Sequence, residues 1–282
     1  MNNTLRGKRV VGALNSIGSN VFVNLGQYFT HSLRDGSKME LSEQSIWLGN
    51  TTWRLSRENV YIVGSADVRE EIQMGIGQLC GMTFEGYSFL SKILEIEFRF
   101  SGGFKLTTFT DWKENNQWTV FFQDNPESND PIPCFCVDFD DKCLSEIQDL
   151  DQKIKIDNAF HQIHEIRTEE KVSSIRGNSF HDIKIFFCPE EFLSLEACHF
   201  RLERDGNYLF GQLDFEDIDS MQSSLKVLIG NRLKTVEVNV DLDAKFTFEN
   251  GYQLSVFTCK KAPIQWRFVK DGKELYIAKN SC

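Results

Sequence analysis

The residues best suited to chemistry lie mid-chain: Cys134, Cys136 and Cys143, with His161 and His164 downstream. Thiolate and imidazole are the usual ligands of zinc, but one residue between the first two cysteines is tighter than the spacing of about two to four that zinc sites use. Structural thiols are therefore the preferred reading. Cys188 and Cys198 are a further pair of thiols, and a reducing compartment argues against a bond between them. None of His31, His161, His164, His181 and His199 accompanies a Gly-x-Ser-x-Gly nucleophile elbow. Gly75-Ile76-Gly77 and Gly102-Gly103 lack the Lys-Ser/Thr of a phosphate loop and read as turns. The acidic residues form no pair that the sequence places in one cleft. No catalytic, cofactor-binding or metal residue is expected, so the chain reads as a non-enzyme. Cys282 stands apart as the final residue. An exposed terminal thiol near a two-fold axis faces its own copy, which makes Cys282 the candidate dimer contact. The alternative is an inert tail.

The elements that would position these residues are written twice. Leu94, Ile96, Phe98 and Phe100 alternate with Glu95, Glu97 and Arg99, turn at Gly102-Gly103, and continue through Phe104–Phe109 to Trp118. Ala244, Phe246 and Phe248 alternate in the same way, turn at Asn250-Gly251, and continue through Tyr252–Phe257 to Trp266. Gly103 and Gly251 are 148 residues apart, and so are Trp118 and Trp266. Period-2 alternation marks a half-buried strand, and Asn-Gly between two such strands marks a hairpin. Upstream, Trp53 to Asn59 lies beside Phe200 to Gly206 at a shift of 147, which also aligns Gly64 with Gly211 and Asp67 with Asp214. Ile76-Gly77-Gln78 aligns with Ile229-Gly230-Asn231 at 153. Arg54 with Arg201, and Arg57 with Arg204, read as ion pairs on strand surfaces. His199 takes the place of Thr52 and reads as a strand position. Trp118 and Trp266 read as core aromatics.

The expected fold is mainly β (α+β): two related antiparallel β domains joined by an extended, partly helical arm. The first domain spans 1–123, beginning in earnest at Ile46. Val10 to Gln27 forms two short strands, and Ser65 caps a short helix through Ile72 with Asp67 near its positive end. The segment Phe84 to Ile93 reads as a long hairpin loop. A linker and arm span 124–178. They open on Asp124 to Pro133, which holds three of the five prolines. Leu144, Ile147, Leu150 and Ile154 are spaced for one apolar helix face, continued by Phe160, Ile163 and Ile166. That pattern suits either two short helices packed on a neighbour or an arm whose stripe is buried by a partner. The second domain spans 179–282 and is the dimerising one, with a further hairpin at Lys270-Asp271-Gly272-Lys273.

Composition narrows the function. The net charge of −10 repels nucleic-acid phosphate, so no direct nucleic-acid partner is expected. An acidic face instead suits a basic partner, or competition for a nucleic-acid groove. No apolar run is long enough for a membrane span, and no h-region follows the N-terminus. With eight cysteines and no export signal, a cytoplasmic protein with reduced thiols is expected.

Phe100 to Phe109 and Phe248 to Phe257 both read Phe-x-x-Gly-Phe/Tyr-x-Leu-x-x-Phe, each with a trailing tryptophan. The pattern resembles small β domains of bacterial and phage proteins, including immunity-type proteins. The layout as a whole is similar to the phage-encoded anti-defence proteins that inhibit the Gabija system. That resemblance implies a globular N-terminal domain, an extended arm and a C-terminal dimerising domain that wrap a nuclease–helicase complex. It implies steric inhibition of DNA binding and cleavage in the host bacterial cytoplasm. The alternative is an immunity-type protein that neutralises a bacterial toxin. The Cys282 expectation has its own test. Sizing under oxidising conditions is expected to give a covalent dimer that Cys282→Ser abolishes; a dimer unchanged by that substitution would remove Cys282 from the contact.

Overall fold

A computed structural model describes residues 5–32, 37–90, 95–111, 118–122, 134–137, 162–164, 168–239, 241–260, 262 and 264–278. These divide into two compact units. The first takes the described residues through Phe109 with 118–122 and 134–137; the second takes Thr110, Asp111 and everything from 162 onward.

The first unit is a pair of antiparallel sheets. One sheet runs β1 (Val10–Asn15), β2 (Val21–Ser32), β3 (Lys38–Leu48), β9 (Trp118–Phe122) and β10 (Cys134–Val137). The other runs β5 (Val60–Gly64), β4 (Thr52–Arg57), β8 (Phe104–Phe109), β7 (Ile96–Phe100) and β6 (Phe84–Phe89). Helix α1 (Arg69–Gly77) follows β5 and buries Ile72, Gly75 and Ile76. The alternation in β7 produces its burial: Ile96, Phe98 and Phe100 are inside while Glu97 and Arg99 are half-buried on the other face.

The second unit follows the same path. Its first sheet runs β12 (Ser174–Ser179), β13 (Asp182–Cys188), β14 (Glu191–Leu195), β20 (Trp266–Lys270) and β21 (Lys273–Ala278). Its second runs β16 (Asn207–Gly211), β15 (His199–Arg204), β19 (Tyr252–Phe257), β18 (Ala244–Phe248) and β17 (Leu233–Val238), with β11 (Gln162–His164) added beside β17. Helix α2 (Ile218–Leu225) stands where α1 does, capped by the Asp217 side chain on the Ser220 N–H. Apart from β11, each strand of one unit has its counterpart, in the same order, in the other.

Details repeat as well. Both hairpins after β7 and β18 place a residue at positive φ followed by glycine: Gly102 (74°) then Gly103 (77°), and Asn250 (62°) then Gly251 (78°). Gly251 sits at positive φ (78°), the left-handed region that favours glycine. Arg57 lies over the Phe104 ring and Arg204 over the Tyr252 ring, each at 5.1 Å. Tyr61 O–H and Gly64 N–H donate to Asp67, as Tyr208 O–H and Gly211 N–H donate to Asp214. Trp118 opens β9 opposite Leu48 and meets Phe98 edge-on at 5.8 Å; Trp266 opens β20 opposite Leu195 and meets Phe246 edge-on at 5.2 Å.

The structure corrects several expectations. The first unit does not begin at Ile46, because β1 and β2 are full members of its sheet. Of the expected arm, 124–178, the stretches 134–137, 162–164 and 174–178 are in strands, and 138–161 lies outside the described residues. Cys134–Val137 pairs with β9, whereas Gln162–His164 pairs with β17 and Ser174–Ser179 with β13. The stripe through Leu144 to Phe160, and Ile166, lie outside the described residues. The first helix starts at Arg69, with Val68 at its N-cap. Asp67 stands just before that N-cap, and its carboxylate takes the Tyr61 O–H and the Gly64 N–H without capping the helix. Phe84–Phe89, expected within the long hairpin loop, is a strand with a bulge. The counterpart of Gly230 is Gly81: Gly81 N–H donates to the Val10 carbonyl, and Gly230 N–H to the Val172 carbonyl. Gly77 was matched only by local letters.

Trp118 and Trp266 are both fully buried. Trp118→Ala and Trp266→Ala are each expected to cost about 3–5 kcal/mol in denaturant unfolding. Val60→Ala, at an exposed position, is expected to stay within about 0.5 kcal/mol.

Candidate functional site

Strand β15 departs from simple alternation. Phe200 and Leu202 face the core, yet His199, Arg201 and Glu203 on the opposite side are buried too. The second unit covers that polar face with Thr110 and Asp111. Arg201 Nη1 donates to the Thr110 carbonyl at 3.3 Å, and Leu213 N–H to the Asp111 carbonyl at 3.1 Å. The Asp111 carboxylate takes His199 Nδ1. Gly211 makes the approach possible, since a Cβ there would fall 2.1 Å from the Asp111 carbonyl oxygen. Arg201 Nε also donates to Glu203 at 2.9 Å, which pairs the buried guanidinium along its own strand.

Cys259, just past β19, also acts on His199. Asp111 and Cys259 are 0 % exposed and His199 is 7 % exposed. Burial by itself pushes the imidazole down. The Cys259 sulfur and the Asp111 carboxylate outweigh it, so His199 titrates well above the usual histidine range and is charged at neutral pH. His181 sits beside it, ring centres 5.6 Å apart, and is driven the opposite way by burial and then by the His199 and Lys260 charges. Neutral His181 accepts from Gln212 Nε2 at 3.3 Å. Burial and the bond to Asp214 push the Tyr208 hydroxyl up. The cluster therefore sets His199, with its pKa raised, by Asp111 and Cys259, and His181, with its pKa lowered, alongside.

Thiol, imidazole and carboxylate are the components of a cysteine-nucleophile site. Here the sulfur and the carboxylate are closed to solvent, and in this conformation the set works as a buried electrostatic anchor. It ties Thr110-Asp111 to the polar face of β15.

The residues singled out from sequence do not meet. Cys134 and Cys136 lie on β10 of the first unit and His164 on β11 of the second, while Cys143, His161 and Cys282 lie outside the described residues. Among the described residues no group of three or more His, Cys, Asp or Glu is arranged to hold a metal ion. Cys188 and Cys198 are free thiols, the first half-buried and the second buried. Arg54 and Arg201, expected on a strand surface, are buried, because both faces of β4 and β15 are covered. Arg57 and Arg204 are the surface pair, held over aromatic rings. His199 is a strand position as expected, but its partner Asp111, 88 residues away, was missed. One signal was present: at the 148-residue shift Asp111 stands opposite Cys259, and at 147 Thr52 stands opposite His199. The two copies differ at the positions that build the cluster.

Removing one member of a buried ion pair strands the other, so His199→Gln is expected to cost about 3–5 kcal/mol. The folded pKa of His199 lies above the unfolded value. Its contribution is therefore complete below about pH 6.5 and is lost as pH rises through the folded value. Thermal unfolding across that range should show wild-type stability declining and His199→Gln nearly flat; equal slopes would remove the anchor. No known family, curated protein or solved structure matches this chain.

Proposed function

We propose that this chain is a macromolecule-binding protein built by tandem duplication, and that it acts by occupying its target. The observation that carries the reading is the matched strand order of two units on one polypeptide. Two related bodies on one chain hold two places on a large target, and the second contact forms at high effective concentration. The net charge of −10 favours a basic target surface, such as a groove that otherwise takes nucleic acid. Among the described residues no helix is long and apolar enough to cross a membrane.

The resemblance in the Phe-x-x-Gly-Phe/Tyr-x-Leu-x-x-Phe hairpins and in the layout points to one target. In this proposal the chain is a phage anti-defence protein acting in the bacterial cytoplasm. It assembles as a homo-oligomer, binds the Gabija nuclease–helicase complex and blocks DNA binding and cleavage.

The test is a pull-down with the tagged full chain from cells expressing both subunits. Both subunits are expected to be retained, and the purified complex to lose DNA cleavage in proportion to added inhibitor. Retention of neither subunit would rule out the Gabija target.

A further inference from the structure

The outward face of the second unit's first sheet carries a row of like charges. Arg176 on β12 stands opposite Lys184 on β13, Lys184 opposite Ser194 on β14, and Ser194 opposite Arg267 on β20. The core lies on the other side of these strands, where Ile175, Ile183, Ile185 and Leu193 are buried. Arg176 is exposed and Lys184 half-buried. In the next row Phe186 stands opposite Phe192, ring centres 5.4 Å apart. The Arg176 guanidinium lies over the Phe186 ring at 5.4 Å and the Lys184 ammonium over the Phe192 ring at 5.7 Å.

The charges on this face are unevenly matched. Arg267 is paired twice, through Nε with Glu196 and through Nη1 with Glu274, both at 2.8 Å. The Asp182 carboxylate accepts from Asn178 Nδ2 at 2.8 Å. Among the described residues neither Arg176 nor Lys184 has a carboxylate partner; their contacts are the two rings. Like charges directly opposite on neighbouring strands repel. A chain with 41 acidic residues against 31 basic ones leaves this pair unmatched. The strand order does not call for cations there. At the same place in the first unit Leu14 stands opposite Phe22, Phe22 opposite Trp47, and Trp47 opposite Thr119.

We propose that Arg176 and Lys184 form an anion-accepting face, and that its occupant is an extended acidic segment of a partner protein with two carboxylates separated by one residue. Charge complementarity selects it, because a carboxylate on each cation turns their mutual repulsion into two attractions. The rings hold the cations in place, and a guanidinium stacked on a ring keeps its edge N–H groups free to grip a carboxylate. Alternate side chains of an extended segment are about 7 Å apart, within reach of two long side chains on neighbouring strands. A nucleic acid suits the face less well. The rings on which a base would stack already carry the chain's own cations, and Glu196 and Glu274 stand at the Arg267 end of the row. The inference goes beyond the proposed basic target and holds whichever target is bound, since it adds a contact of the opposite sign.

The probe is the peptide acetyl-Gly-Glu-Gly-Glu-Gly-amide, with its twin carrying glutamine for both glutamates. Added to the full chain, the acidic peptide is expected to shift the backbone amide resonances of Arg176, Lys184, Phe186 and Phe192, and the glutamine twin to leave them unmoved. The double variant R176Q/K184Q should weaken binding about tenfold, K184R should retain it, and about 1 M sodium chloride should abolish it. Both cations lie on the surface, so the free double variant is expected to unfold at the wild-type temperature or above. Four outcomes overturn the proposal. The shifts are absent at about 10 mM peptide; both peptides bind equally; the double variant is less stable than wild type, which would mean that the cations are already paired within the chain; or a short oligothymidylate binds these residues more tightly than the peptide, which would make the face a nucleic-acid contact.

Discussion

Each unit depends on an indole that belongs to one sheet and packs on the other. Trp118 is hydrogen-bonded into the first sheet opposite Leu48, and its ring meets Phe98 of the second sheet at 87°. Trp266 does the same opposite Leu195, meeting Phe246 at 89°. The edge-to-face pair adds about 0.5–1.5 kcal/mol to the burial of both rings. Its larger effect is geometric. A ring held by its own strand and seated edge-on against a second sheet leaves little freedom in how the sheets stack. Trp266 Nε1–H also needs an acceptor once buried, and finds the Leu242 carbonyl at 2.9 Å in the loop before β18. Trp53, on β4 in the other sheet of the first unit, satisfies its own Nε1–H on the Ser19 carbonyl.

Covering both faces of a strand has a consequence. In β4 and β15 the side away from the core carries Arg54 and Arg201, and covering those faces removes both from water. A buried guanidinium has to be paired. Arg201 is paired by Glu203 and by the Thr110 carbonyl, and the Asp111 that follows takes His199. The cluster of His199 with Asp111 and Cys259 arises because a strand that is polar on one side is packed on both.

The repeat was legible because it rests on local chemistry. Alternating Ile96, Phe98 and Phe100, or Ala244, Phe246 and Phe248, place their side chains on one face of any extended strand. Positive φ at Gly103 and Asn250 is likewise a property of the residue. Less was legible where the neighbours decide. Asp67 resembles a helix-start residue by its letters, but Tyr61 and the Gly64 N–H are nearer partners. Phe84–Phe89 contains a glycine and a glutamate and resembles a loop, until β7 supplies its ladder. Cys-Phe-Cys-Val after a proline-rich run carries no sign that β9 is beside it.

What the sequence by itself determined was which residues turn inward, where the hairpins fold, and that the chain is mainly β. Those properties have a range of two to four residues, so the chain states them openly. What only the tertiary structure decided was which inward or polar residue stands opposite which. Asp111 reaching His199 and β11 lying on β17 are long-range pairings. Each is settled by backbone hydrogen bonds and buried charge that must be satisfied in the fold, and no local pattern records such a partner.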